Sequence, residues 1–74
     1  MGKAKLNYLK FNKELREVTL GRARELRTTM SLPSTERYPQ RHMRNLEDLL
    51  SINLEFLRHA ELNIKLLTNG EYLS

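Results

Sequence analysis

One stretch of this 74-residue chain leaves little freedom in how it folds. Met43, Leu46, Leu50, Asn53, Leu57, Ala60, Ile64 and Leu67 recur at alternating steps of three and four residues. A helix of 3.6 residues per turn puts such positions in one row, whereas a strand scatters them over both faces. Leu49, Leu54 and Phe56 widen the row to roughly 160° of the helix circumference, more than a two-stranded seam needs. A stripe this broad usually touches more than one neighbour. Lys65 suits the negative end of such a helix, and Asn69-Gly70 suits a left-handed stop. Glu61 and Lys65 stand in the favourable i,i+4 order. The spacing predicts a helix over about 39–69.

Upstream, Thr28 to Pro39 holds both prolines and most of the hydroxyl residues, so it reads as a breaker, centred on 29–38. Pro39 fits the first turn of the following helix, and Ser34 is an alternative N-cap with Glu36 beside it. A short helical turn at 34–38 would reconcile the two. Before the breaker, a helix is expected over about 3–28. Ala4, Tyr8, Phe11, Leu15 and Val18 step by four, three, four and three, an apolar seam. The next apolar positions, Ala23, Leu26 and Met30, follow only after a step of five. Gly21 sits at that slip, where a bend and an unbroken helix with a changed contact face are both open. Leu6, Leu9 and Leu20 form a second, thinner apolar edge.

Two helices joined by about ten residues make an all-α antiparallel hairpin, a single small domain with a short tail at 71–74. A chain this short has little interior, and there is no cysteine for a disulfide. Oligomerisation is the usual remedy. The expectation is therefore a homodimer, paired into a four-helix bundle through Leu46, Leu50, Asn53, Leu57, Ala60, Ile64 and Leu67. Asn53 interrupts that row, and a buried Asn there can set register by pairing with its symmetry mate. On that reading, Asn53→Leu raises thermal stability and broadens the oligomer distribution.

Charge is unevenly distributed. Residues 3–27 carry eight Lys or Arg against three Glu, a net of +5; residues 28–42 carry +1 and 43–70 carry −1. Lys13, Arg16, Arg24 and Arg27 form a ridge on the first helix that suits phosphates or an acidic protein surface. Arg37, Arg41 and Arg44, with Tyr38 and His42 beside them, form the densest anion-attracting cluster. Tyr8 and Phe11 could stack on bases, but both fall on the expected seam, and core packing is the simpler role.

Little in the chain carries chemistry. With no Cys and two His, thiolate sites and a Cys nucleophile are excluded. Glu55 and His59 are four apart, but two ligands do not hold a metal ion. Gly2, Gly21 and Gly70 are isolated, so no phosphate-cradling loop is present. Ser51 and Glu55 stand at S-x-x-x-E, a spacing similar to the S-x-x-x-D motif of the small helical-hairpin phosphatases that act on sporulation response regulators. The likeness spans five residues, has Glu for Asp, and comes with a longer breaker than in that family, so no membership is read from it. No apolar run is long enough to span a membrane, and the first residues lack a secretory apolar core. Gly2 lacks the Ser or Thr at position 6 that myristoylation needs. The sequence thus points to an intracellular, non-catalytic, cofactor-free protein-binding module, with nucleic-acid binding by the basic first helix as the alternative.

Overall fold

The computed structural model describes residues 2–32 and 39–69. They form two helices, α1 (Lys3–Met30) and α2 (Gln40–Thr68), packed against each other. Asn12 meets Asn63 and the Thr19 carbonyl meets Asn53, so the helices run antiparallel. The radius of gyration is 16.4 Å, against about 11 Å for a compact chain of this length. The molecule is a rod one helix pair thick, as expected for the hairpin.

Packing holds these helices more than capping does. Gly2 and Pro39 occupy the two N-cap positions, neither end has a side-chain cap, and neither first turn carries an acid. Pro39 lies one position outside the first turn, and its carbonyl accepts the N–H groups of His42 (2.9 Å) and Met43 (3.1 Å). Its missing N–H costs nothing there. α1 ends where the Ser31 N–H folds back on the Arg27 and Thr28 carbonyls. Leu32 precedes a proline in the sequence, which disfavours another helical residue. Lys65 lies in the last turn of α2 as expected. Asn69 does not make the expected left-handed stop itself: it is right-handed, at φ −84°. The expected turn at 34–38, the alternative cap Ser34, Gly70 and the tail 71–74 lie outside the described residues.

The seam of α2 matches the spacing: Met43, Leu46, Leu50, Asn53, Leu57 and Ile64 are half-buried, and Ala60 and Leu67 are buried. The seam of α1 does not. Its inward row is Tyr8, Asn12, Leu15, Thr19, Ala23, Leu26 and Met30, with steps of four, three, four, four, three and four. No step of five occurs, and α1 runs unbroken through Gly21. Phe11 and Val18, expected on the seam, are 55% and 57% exposed, whereas Asn12 and Thr19 are 1% and 4% exposed. Only the positions of Asn12 and Thr19 keep Tyr8, Leu15, Ala23 and Leu26 on one continuous row.

That row is tolerable because its polar atoms are satisfied. Asn12 donates to the Tyr8 carbonyl at 2.7 Å and accepts from Asn63 at 3.1 Å. Thr19 donates to the Leu15 and Arg16 carbonyls one turn back, and Asn53 donates to the Thr19 carbonyl at 2.7 Å. No buried side-chain N or O among the described residues lacks a partner. Asn53 is thus engaged with α1 of its own chain, where the sequence expectation paired it with a symmetry mate. Ala23 and Ala60, with the shortest side chains in the two seams, are almost fully buried.

Two predictions follow from this packing. A Cβ built on Gly21 meets nothing within 4 Å, so Gly21→Ala should stabilise the protein by about 1 kcal/mol, read as a higher urea midpoint. An unchanged or lower midpoint would contradict a continuous, uncrowded helix there. Asn12→Ala strands Asn63 and should cost about 1–2 kcal/mol. Replacing both asparagines with Leu should recover most of that loss. A double-mutant cycle with no coupling would show that their hydrogen bond does not contribute.

Candidate functional surfaces

The described residues offer no enclosed chemistry. No three His, Cys, Asp or Glu side chains among them are placed to share a metal ion. Ser51 and Glu55 both lie exposed on α2, and Glu55 is engaged locally. Its carboxylate accepts from Arg58 at 2.8 Å, and His59 Nε2 stands 3.9 Å away. The hydrogen bond from Arg58 and then its charge hold the Glu55 carboxyl below its ordinary value of 4.5, while Arg58 is raised in turn. Both groups are solvent-exposed, so the pair stabilises the fold little. What the structure offers for binding is surface.

The first surface is apolar. On α1, Phe11, Val18, Arg22, Glu25 and Thr29 follow one helical row beside the seam. On α2, His42, Asn45, Leu49, Ile52 and Phe56 do the same. Arg22, Glu25 and Thr29 line one groove with Leu49 and Asn53, and Thr29 lines another with His42, Asn45 and Leu49. The two rows therefore flank each other on one side of the hairpin. Five large apolar side chains stand out from that side: Phe11, Val18, Leu49, Ile52 and Phe56, each more than half exposed. The charges among them are self-neutralised, with Arg22 donating to Glu25 at 2.8 Å.

The second surface is basic and lies on the other flank of the α1 seam. Lys13, Arg16, Leu20, Arg24 and Arg27 share a row about 21 Å long, at 1.5 Å per residue. Leu20, Arg24 and Arg27 line a shallow groove with Thr28 and Ser31. Arg16 lies 4.0 Å from Glu17. Lys13, Arg24 and Arg27 have no carboxylate within 4.0 Å among the described residues. The expected edge of Leu6, Leu9 and Leu20 borders this row, with Leu6 and Leu20 exposed and Leu9 half-buried. Leu6 and Leu9 line a further shallow groove along α1 with Lys10, Lys13, Glu14, Glu17 and Val18.

The third surface is the start of α2. Arg41 and Arg44 are exposed there, three residues apart on adjoining turns. Arg37 and Tyr38, expected to complete the cluster, lie outside the described residues. The expected oligomer row, Leu46, Leu50, Asn53, Leu57, Ala60, Ile64 and Leu67, faces α1 within the chain. Asn12, Thr19 and Asn63 were not singled out from the sequence. Their signal was spacing: Asn12 stands four after Tyr8 and three before Leu15, and a search for apolar residues alone passes over it.

Removing the guanidinium should release Glu55. In an NMR titration of Arg58→Ala, the Glu55 carboxyl should titrate closer to 4.5 than in the unaltered protein. The depressed value means that the small stabilisation from this pair is present above the unfolded pKa and is lost as pH falls through the lower folded one. An unchanged Glu55 titration would contradict the assigned cause.

Comparison with protein-family models, with curated proteins and with solved structures finds no match for this chain.

Proposed function

We propose that the protein is a non-catalytic protein-binding module, an adaptor, inhibitor or assembly factor that works as a self-associating helical hairpin. The observation that carries this reading is the mismatch between core and surface. Among the described residues only Ala23, Ala60 and Leu67 are buried apolar side chains, while eight large apolar ones are 39% to 57% exposed. Scattered exposed apolar residues are ordinary, but a contiguous group marks an association surface. In this reading two hairpins pair as a homodimeric four-helix bundle, and the basic surfaces stay free for an acidic protein partner. Arg41 and Arg44, with Arg37 and Tyr38 before them in sequence, are the proposed contact for that partner.

A second reading is favoured by one specific feature, the α1 row of Lys13, Arg16, Arg24 and Arg27. Cations in one row, most without a carboxylate partner, suit a phosphate backbone. No described helix is long and apolar enough to cross a membrane, and neither reading calls on one.

Sedimentation equilibrium tests the first reading, which expects twice the 8.8 kDa chain mass. A single 8.8 kDa species at all concentrations would contradict it. For the second, affinity for single-stranded or duplex nucleic acid should fall steeply as salt rises. No binding at low salt would exclude it.

A further inference from the structure

We infer that the occupant of the apolar side of the hairpin is a second copy of this chain, seated on Phe11, Val18, Leu49, Ile52 and Phe56. This rests on the self-association reading above and replaces the interface expected from the sequence. The row from Leu46 to Leu67 faces α1 within the chain, so the more exposed face beside it is the one left for a second copy.

Three observations select this side and this occupant. The first is area. A compact chain of 8.8 kDa exposes about 4,800 Å², whereas this one exposes 5716 Å². A rod carries this excess along its whole length, so the chain has surface enough to give the 800 Å² or so that each partner contributes to a standard interface. The second is charge. A two-fold interface brings each patch against its own copy, so a patch of net positive charge meets another of the same sign. On this side Arg22 is neutralised by Glu25 at 2.8 Å, whereas the opposite flank carries Lys13, Arg24 and Arg27 without such partners. Two copies of a chain with net charge +4 therefore meet with less repulsion through the first face than through the second. The third is layering. Both helices contribute to the patch, Phe11 and Val18 from α1 and Leu49, Ile52 and Phe56 from α2. Laying one such two-helix face on another gives four helices around a shared apolar centre. Val18 stands midway along its row between Phe11 and Glu25, so it is placed nearest the two-fold axis.

The chain has no cysteine, so a single introduced thiol reports one position. Val18→Cys, Leu6→Cys and Leu62→Cys are each treated with a short bifunctional maleimide. Leu6 and Leu62 are 50% and 45% exposed and lie off the proposed row, Leu6 at the far end of the groove that reaches Val18, about 18 Å away along α1. Val18→Cys should give a covalent dimer and the other two should not. Phe56→Arg provides a second readout, because it buries an unpaired charge in the interface. The dimer dissociation constant should rise more than about tenfold in Phe56→Arg and by less than about twofold in Leu6→Arg, with helicity monitored by circular dichroism. A dimer that cross-links through Leu6 or Leu62 rather than Val18, or equally through all three, overturns this face while leaving self-association intact. An unaltered protein that sediments as a monomer overturns both.

Discussion

A pair of helices can bury only one stripe on each, and everything else in this protein follows from how that stripe is used. The seam joins Tyr8, Asn12, Leu15, Thr19, Ala23 and Leu26 to Leu46, Leu50, Asn53, Leu57, Ala60, Ile64 and Leu67. It leaves no room for the remaining large apolar residues. A compact domain would cover them with a third element. Here they stand on the outside of a rod, five of them on the side where Arg22 is paired with Glu25.

The asparagines decide which stripe becomes the seam. An apolar row alone could slide or rotate with little loss, since Leu fits many register shifts. Asn63 reaching the Asn12 side chain is satisfied in only one alignment, and Asn53 adds a bond to the Thr19 carbonyl in that same alignment. A shift by one turn would leave polar groups buried without partners, which costs more than a lost apolar contact. These contacts also explain why Phe11 and Val18 are left outside. Turning them inward would expose Asn12 and Thr19 and break both cross-helix contacts.

Much of this was legible in the sequence. The 3/4 steps from Met43 to Leu67 define α2 and its seam, whereas Thr29 and Met30, expected in the breaker, belong to the last turn of α1, and 33–38 lie outside the described residues. Hydrophobicity alone places the α1 seam on Phe11 and Val18, which the structure leaves exposed. Phe11 and Val18 are more apolar than Asn12 and Thr19, yet each pair fits helical spacing with its neighbours. What decides between them is the partner: Asn63 and Asn53 lie 51 and 34 residues away, and no local pattern announces such a pairing. The apparent slip near Gly21 was the join between two interleaved rows. One row serves the hairpin, and the other is the surface proposed to meet a second copy. The basic ridge, by contrast, was readable outright, because exposed charges on one helix need no partner element to place them.

The central claim is that two copies complete the fold that one begins. Concentration dependence of thermal unfolding tests it most directly, since association of native chains ties the midpoint to mass action. The account predicts a midpoint that rises steadily as protein concentration increases, with a single cooperative transition. A cooperative midpoint that stays fixed over a wide range of concentrations would contradict it, showing that the hairpin stands alone.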